Sequence, residues 1–369
     1  MSRQGASSGD DSGDESTLTR QFTEFSATCE RRAPLYSALS SGIAHSSDLA
    51  GLLRLAPPTQ RLPVLLFAVI HHLVLDDPSN ALARWYPNLA DEPRSPADTD
   101  LMPTFAAFVD ANIDEIRVLL ATRSTQTNEV GRCGFLLPAL GLVADEVGAL
   151  AHIDVGASGG LNLLLDRFEY RYTDAQGNLL GQVGRPGGVL LDVATTGAVP
   201  VPEVLPTIVA RCGVDRSPID VTDEAEARWL EACVWPDQAD RFHRLVAAID
   251  IARRHPPDLV VGDAVEMLAP TIERLGAHGH PVVTNSWVLN YLTPEARIAY
   301  LVELDRIGAT RDLSWIYAEA PALIPELPND PDPTDSQRTV LSLVRWRHGD
   351  RTVDHLATCH PHGFWLHWR

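Results

Sequence analysis

The fold is decided by the stretch AHIDVGASGGLNL at residues 151–163. Its apolar start predicts a short strand, its glycines predict a turn, and the residues from Leu161 onward predict a helix. Glycines in such a turn adopt positive φ without a steric cost and let the backbone approach a ligand closely. The helix N-terminus behind them is expected to offer free N–H groups and a partial positive charge. The stretch therefore predicts a ligand site at the end of a strand.

Two chemical interpretations of this turn are open. Asp154 followed by Gly156-x-Ser158-x-Gly160 resembles the first motif of class I S-adenosylmethionine (AdoMet)-dependent methyltransferases, an acid followed by G-x-G-x-G. The middle glycine of that motif is serine here. The same residues also match G-x-S-x-G, the nucleophile elbow of α/β-hydrolases. A tight strand-to-helix turn that binds nothing is the third possibility.

The rest of the chain favours the methyltransferase interpretation. From Leu18 to about Ser124 the apolar residues recur at helical spacing, and convincing alternating strands are absent. A hydrolase elbow normally follows several strands of its sheet, whereas a class I methyltransferase core opens with its cofactor strand. After the turn, strands are predicted at 207–215, 258–264, 281–286 and 313–319, and a closing antiparallel hairpin at 339–347 and 351–368 with its turn at Gly349-Asp350.

Composition limits the classes of function. The chain has 369 residues, 45% of them apolar, and a formal net charge of −19. A surface this acidic repels phosphate backbones, so nucleic acid is not expected as a partner, and a small-molecule substrate is. The five scattered cysteines predict neither a disulfide framework nor a zinc site, so we expect reduced thiols, no metal and a cytoplasmic protein. We expect no membrane segment, because the most apolar run, 62–75, is too short.

Two acids that end predicted strands are candidate cofactor ligands. Asp215 stands where methyltransferases have the carboxylate that accepts hydrogen bonds from the ribose hydroxyls of the cofactor. Capping of a turn before Pro218 is its alternative role, and Asp192 and Glu169 are weaker candidates for the ribose contact. Asp263, within Gly262-Asp263-Ala264, resembles the position that meets the adenine amine, and a helix N-cap is its alternative role.

Small polar residues at the end of the 281–286 strand complete the predicted site. Asn285 and Ser286 are expected to face the reactive methyl group of the cofactor. Candidate catalytic residues are Asn285, Tyr291 and His360, since an imidazole can serve as a base near neutral pH. The predicted cofactor-binding set also includes Asn162, which follows the glycine turn.

Several stretches together resemble a bacterial domain-of-unknown-function family, number twenty-three thirty-two. They are HIDVGASGGLN at 152–162, CGVDRSPID at 212–220, VWPD at 234–237 and PHGFW at 361–365. The resemblance covers nearly the whole chain and implies no activity of its own. The predicted fold is α/β: a Rossmann-like class I methyltransferase core over 131–369, with a hairpin insertion near 168–206, preceded by an all-helical domain over 18–130. Residues 1–17 are expected to be a disordered acidic tail rather than a signal peptide.

The leading functional hypothesis is an AdoMet-dependent methyltransferase that acts on a small molecule. Three alternatives stay open: an enzyme that consumes AdoMet without transferring its methyl group, such as a cyclase or lyase; a serine hydrolase that uses Ser158 with Asp263 and His360; and a non-catalytic AdoMet-binding or partner-binding protein. A proline- and acid-rich loop at 321–336 is expected to close over the substrate. The oligomeric state is left open.

Overall fold

The computed structural model describes residues 9–327 and 338–369, which form a mixed α/β protein with an eleven-stranded, mostly parallel sheet. The chain divides into two compact units. One runs to Thr127 and includes Glu224–His243, and the other consists of Asn128–Asp223 and Arg244–Arg369. Part of the loop predicted to cover the substrate, 328–336, lies outside the described residues.

The described residues form eleven α-helices and six 3-10 helices. In chain order they are α1 (Gly9–Cys29), α2 (Pro34–Ile43), α3 (Ser47–Gly51), α4 (Pro63–Asp76), α5 (Leu101–Ala111), α6 (Ile113–Thr122), α7 (Cys133–Val147), α8 (Glu224–Ala232), α9 (Ala239–Arg254), α10 (Leu268–Leu275) and α11 (Pro294–Gly308). Short 3-10 helices lie at Leu52–Leu55, Pro58–Gln60, Ala81–Trp85, Val130–Arg132, Leu161–Arg167 and Leu289–Tyr291.

The strands all belong to one sheet. In chain order they are β1 (Leu150–Val155), β2 (Glu169–Thr173), β3 (Leu179–Gly184), β4 (Leu190–Thr196), β5 (Ile208–Asp215), β6 (Leu259–Val261), β7 (His280–Ser286), β8 (Leu313–Glu319), β9 (Thr339–Arg347), β10 (Asp350–Cys359) and β11 (Trp365–Trp368). Their order across the sheet is β3-β2-β4-β11-β10-β9-β8-β7-β1-β5-β6.

The first unit is helical in its described residues, and its most apolar segment is α4. Nearly all of α4 is buried, including His71 and His72, because its apolar residues surround the helix instead of forming a single stripe. Pro63 occupies its first turn, where a missing N–H and a fixed φ cost nothing. The unit differs from the prediction in two ways: α1 already covers residues 9–17, where a disordered tail was expected, and Glu224–His243 belongs to it.

Five strands of the second unit run parallel, in the order β6-β5-β1-β7-β8. The residues of β7 and β8 are buried almost throughout, as expected for parallel strands covered on both faces. Chain order reverses between β1 and its neighbour β7, so this pair is a topological switch point. The carboxyl ends of these five strands therefore lie along one edge of the sheet.

Several predicted elements match the structure closely. Strand β8 has the predicted bounds, and α11 begins as predicted, with the Thr293 side chain accepting a hydrogen bond from the Ala296 amide. The closing hairpin is present as β9 and β10. Its turn is one residue earlier than predicted, at His348-Gly349, because Asp350 already pairs with Arg347.

The helix predicted from Leu161 onward is present over Leu161–Arg167 as a 3-10 helix, with non-helical torsion angles at Leu164. The hairpin predicted near 168–206 exists as β2 and β3, but it is not a separate insertion. A further strand, β4, pairs with both β2 and β11, so these strands extend the main sheet at the edge far from β6.

Candidate functional site

A buried chain of hydrogen bonds connects β1 with β7 at the switch point. Asp154, 3% exposed, lies opposite Thr284 in the strand register. The Thr284 hydroxyl donates to Asp154 Oδ1 at 2.8 Å, and His152 Nε2 lies 2.9 Å from the same hydroxyl oxygen. When Asp154 is ionised, the hydroxyl donates its one proton to Asp154, so His152 Nε2 is the donor to Thr284 in that state. The three side chains therefore form a directed relay that ends at the Asp154 carboxyl group.

A second buried carboxyl group, Glu319, ends β8. Its Oε1 accepts two hydrogen bonds, from Asn285 Nδ2 at 2.7 Å and from the Val288 amide at 2.8 Å. Its Oε2 is buried and has no hydrogen-bond partner among the described residues. An unpaired buried carboxyl oxygen costs free energy and calls for an explanation, which a bound ligand would supply. Glu319 is therefore a functional candidate.

Arg132 supplies positive charge near both carboxyl groups. It is 7% exposed, and its guanidinium donates to two backbone carbonyls, Ser286 O at 2.7 Å and Pro361 O at 3.0 Å. These bonds attach the 3-10 helix at Val130–Arg132 to the end of β7 and to the loop after β10. The neighbouring Glu129 is 4% exposed, and its Oε2 lies 3.4 Å from His362 Nδ1.

The electrostatics bring the pKa values of both carboxyl groups close to physiological pH. Burial raises the pKa of Asp154 to about 7, although the Thr284 hydrogen bond and Arg132 oppose the rise. Burial likewise raises the pKa of Glu319 to about 7, against the Val288 amide, Asn285 and Arg132. Desolvation disfavours the charged form more than these partners favour it. Two carboxyl groups that titrate near pH 7 at one sheet edge are typical of a functional site.

The glycine turn has the predicted backbone shape. Gly156, Ser158 and Gly160 all adopt positive φ, at 75°, 52° and 72°. Its amides, however, are bonded within the protein. The bonds run from Gly156 and Ala157 to Val214 O, from Ser158 to Asp215 Oδ2, from Gly160 to Ala157 O and from Leu161 to Asn128 Oδ1. Of these five amides only that of Leu161 lies at the start of the following helix, so the expectation of free N–H groups there was wrong for Leu161.

The space in front of Gly156 contains a side chain. A Cβ atom on Gly156 would lie 2.3 Å from Val288 Cγ2, and one on Gly160 would lie 2.6 Å from Pro257 Cγ. Both glycines are thus needed for their torsion angles and for close packing against this chain's own residues. Val288 connects the turn to Glu319, because its amide is one of the two donors to Glu319 Oε1.

Asp215 ends β5 beside the turn, as predicted. Its two oxygens accept hydrogen bonds from the Ser158 amide at 2.8 Å and the Ser217 amide at 2.9 Å. The carboxylate therefore holds the glycine turn in place. It also caps the segment before Pro218, which was the alternative role predicted for Asp215. Asp215 is only half-buried, and each oxygen retains a second acceptor position.

The Gly262-Asp263-Ala264 segment follows β6 at the same edge. Asp263 pairs with Arg216 and accepts a hydrogen bond from the Val265 amide at 2.8 Å, and these contacts lower its pKa. Gly262 donates its amide to Asp215 O at 2.9 Å, and Ala264 is part of the hydrophobic core. These contacts of Asp263 are with Arg216 and the local backbone. The serine hydrolase hypothesis instead needs Asp263 to orient a histidine beside Ser158.

Asn285, Ser286 and Asn162 are buried close to the relay. Asn285 uses both ends of its amide, donating to Glu319 and accepting from Trp315 Nε1. Ser286 is 6% exposed, and its Oγ has no partner among the described residues. Asn162 Oδ1 accepts a weak hydrogen bond from the Cys133 thiol at 3.4 Å. Asn285 therefore positions Glu319, and Ser286 presents an unused hydroxyl group beside Arg132.

The two remaining predicted catalytic residues are Tyr291 and His360. Tyr291 is 82% exposed in the 3-10 helix at Leu289–Tyr291, so it is a surface residue and not part of a buried pocket. His360 follows β10, stacks on Phe364 at a centroid distance of 4.5 Å, and accepts a hydrogen bond at Nδ1 from the His362 amide. These contacts give His360 a role in shaping its loop.

Four residues of the site were not predicted from the sequence: His152, Thr284, Arg132 and Glu319. Glu319 had a detectable signal, because an acid that ends an apolar strand resembles Asp154 and Asp215. No sequence signal indicated Arg132, since it lies between two helical segments and far from the motifs in sequence. In residues 9–327 and 338–369 no group of three or more His, Cys, Asp or Glu side chains is arranged to hold a metal ion.

No helix in that part of the chain has the length and apolar character needed to cross a bilayer. No curated protein and no solved structure matches this chain. One family model does match, over residues 19–368, and it is described as an uncharacterized protein conserved in bacteria, DUF2332. Since the match spans almost the whole sequence, including every residue of the relay, the chain belongs to the bacterial family DUF2332.

Proposed function

We propose that the protein is an AdoMet-dependent methyltransferase that acts on a small molecule, with AdoMet bound at the carboxyl edge of the parallel strands. The strand order carries the proposal. In chain order, β6-β5-β1-β7-β8 are the third, second, first, fourth and fifth strands of the parallel set. That is the order of Rossmann-type sheets, whose ligands bind outside the carboxyl ends where the strand order reverses. The glycine turn follows β1 at that position.

The charge of the site suits a cationic cofactor. Asp154 and Glu319 are buried acids whose ionisation is disfavoured, and Asp215 also ends a strand at this edge. A sulfonium cation close to them would favour their charged forms, because an opposite charge within a few ångströms lowers a carboxyl pKa. The amides of the glycine turn would contribute little, since five of them are bonded internally. Carboxylates, rather than the turn amides, would hold the cofactor.

Asp215 is the candidate ligand for the ribose hydroxyls. Each of its oxygens accepts one backbone amide and has room for one further donor. The amides fix the orientation of the carboxylate before any ligand arrives, so little side-chain entropy is lost when a diol binds.

Glu319 is the candidate general base. AdoMet supplies a methyl group that is already bonded to a positively charged sulfur, so the protein must align the acceptor and remove its proton. A pKa near 7 is well suited to that task, because a base is most effective when its pKa is close to the working pH. Oε2 is the atom that would take the proton, since Oε1 is already bonded to Asn285 and Val288.

Calorimetric titration of the purified protein with AdoMet and S-adenosylhomocysteine tests the proposal. We expect both to bind, and Asp215→Asn to weaken both about ten- to hundredfold, as for the loss of a charge-assisted hydrogen bond. Asp192→Asn is the matched control, because Asp192 is an exposed residue of β4 that pairs with Arg171. No binding of either compound to the wild-type protein would remove the basis of the proposal.

The sulfonium charge provides a second, independent readout. AdoMet binding should release protons near pH 7, measured as a dependence of the binding enthalpy on the buffer, because Asp154 and Glu319 lose protons when a cation binds. S-adenosylhomocysteine, whose thioether is neutral, should release fewer. Product analysis then separates the reactions. S-adenosylhomocysteine formed only with an acceptor supports methyl transfer, whereas methylthioadenosine formed without one indicates an AdoMet-consuming enzyme.

A further inference from the structure

We propose that a groove at the opposite edge of the sheet binds a phosphate-bearing small molecule. This groove lies beside the start of β5, at Thr207 and Ile208, whereas the candidate active site lies beside its end at Asp215. A strand of this length separates the two by roughly 23 Å. The proposal therefore concerns a second site and does not rest on the proposed methyl transfer.

Three arginines line this groove, and they come from three separate segments. Arg167 ends the 3-10 helix after the glycine turn, Arg185 lies between β3 and β4, and Arg254 ends α9. His255 is a fourth lining residue with a basic side chain. Segments distant in sequence thus bring guanidinium groups to one cavity of about 530 Å³. That size lies within the range of small-molecule sites.

The charge of the three arginines is not balanced by the protein. Within the described residues, Arg167, Arg185 and Arg254 have no hydrogen-bond or ion-pair partner for their side chains. The one acid that lines the groove is Asp166, and both of its oxygens already accept hydrogen bonds from Arg211, at 2.7 and 2.8 Å. The groove therefore carries a surplus of about three positive charges.

This surplus is unexpected in a chain with a net charge of −19. Other arginines of the second unit are paired, for example Arg306 with Glu303 and Arg351 with Asp305. With 49 acidic residues available, an unbalanced group of three arginines around one cavity indicates an external anion. Arginine is the side chain best suited to phosphate, because its planar fork of donors matches two phosphate oxygens at once.

The apolar part of the lining indicates that the anion carries a hydrophobic body. The lining includes Leu205, Pro206 and Ile208 before and at the start of β5, and Ile251 on α9. Gly187 borders the same space, and a Cβ atom there would meet nothing within 4 Å. A phosphate ester therefore fits the groove better than free phosphate does, with the phosphate on the arginines and the ester group on the apolar wall.

Calorimetric titrations with inorganic phosphate, pyrophosphate and phenyl phosphate at constant ionic strength test this site. We expect pyrophosphate and phenyl phosphate to bind more tightly than inorganic phosphate. Binding should weaken as sodium chloride is raised, because the arginines are exposed and screened by salt. Arg185→Gln and Arg254→Gln should each weaken pyrophosphate binding about tenfold or more.

Arg306→Gln is the control, because it removes one positive charge from an exposed helix surface elsewhere in the same unit. Folding of each variant is checked by circular dichroism, and Arg254→Lys, which keeps the charge but loses the fork, should retain part of the affinity. Failure of all three anions to bind, or an equal loss in Arg306→Gln and Arg254→Gln, would overturn the assignment. AdoMet binding should be unchanged in the groove variants, so the two proposals fail independently.

Discussion

Val288 fills the space in front of Gly156, so that a Cβ atom on the glycine would lie 2.3 Å from Val288 Cγ2. Because the Val288 amide also donates to Glu319, this contact connects the glycine turn with the buried carboxyl group of β8. The glycine is thus required by its neighbours within the protein, whatever the turn binds. This relationship can be separated into a steric and a torsional part.

Gly156→Ala should be strongly destabilising, by about 2–4 kcal/mol in the free energy of unfolding. One part comes from a φ of 75°, which costs a residue with a side chain roughly 1–2 kcal/mol, and the rest from the clash with Val288. The measurement is urea denaturation followed by circular dichroism. Gly177→Ala is the matched control, because Gly177 has a φ of 82° and a Cβ atom there would meet nothing within 4 Å. If the two variants lose equal stability, the contact with Val288 does not contribute to the free energy lost in Gly156→Ala.

Removal of the Thr284 hydroxyl should destabilise the relay. Thr284→Val keeps the shape of the side chain but leaves the Asp154 carboxyl without its donor and His152 Nε2 without its acceptor. We expect a loss of about 1–3 kcal/mol for unsatisfied buried groups, and a further rise in the Asp154 pKa. Thr284→Ser retains the hydroxyl and should recover most of the loss. Equal destabilisation by valine and serine would show that packing, rather than the relay, matters at this position.

Glu319 should make stability fall as the pH rises. Its folded-state pKa, about 7, is above its ordinary value, so protonation favours the folded state. The stabilisation is complete below about pH 4 and is lost as the pH rises to about 7, by an amount on the order of 3 kcal/mol. The difference between wild-type and Glu319→Gln unfolding free energies should shrink over this range. Comparison at each pH is needed because His152, whose pKa burial lowers to about 3, contributes the opposite slope.

Glu303→Gln is the control for this titration. Arg306 lowers the pKa of Glu303, so any contribution of Glu303 is gained as the pH rises through the acidic range. The stability contributed by Glu303 therefore rises with pH, whereas the stability contributed by Glu319 falls. A difference between wild-type and Glu319→Gln protein that stays constant from pH 4 to pH 8 would mean that Glu319 ionises normally.

The parallel strands were predictable because each is a short apolar run between turn residues, and β8 was placed with its observed bounds. Strand β4 was missed because glycines and prolines surround it, although Leu191, Val193 and Thr195 alternate with exposed residues as a half-buried strand should. The helix after the turn was predicted with its observed bounds, although helical spacing over seven residues does not distinguish a 3-10 helix from an α-helix.

The candidate site was predictable only where it is local in sequence. Asp154, Gly156 and Asp215 stand at strand ends, and the structure brings them to one edge. The contacts of Thr284 with His152 depend on which strand lies beside β1, and this strand order is not encoded in any single motif. Arg132 reaches the site from a different segment altogether, so only the three-dimensional fold shows that it acts on the buried acids.

Arg132 should be essential for the charge balance of the site. Arg132→Met removes the hydrogen bonds to Ser286 O and Pro361 O and the positive charge that lowers the pKa values of Asp154 and Glu319. We expect a loss of about 2–4 kcal/mol in the free energy of unfolding at pH 7, because buried acceptors and acids lose their partner. Arg351→Met, which breaks an exposed ion pair with Asp305, should cost at most about 1 kcal/mol.

The pH dependence distinguishes the role of the Arg132 charge from its packing. Without the guanidinium, the pKa values of Asp154 and Glu319 should both rise, so the loss in Arg132→Met should be larger at pH 8 than at pH 5, where both acids are already protonated. Arg132→Lys retains a positive charge and should show a loss that changes less with pH, although a single ammonium group cannot reproduce the two hydrogen bonds of the guanidinium. A loss in Arg132→Met that is the same at both pH values would mean that Arg132 supports the site through its backbone contacts alone.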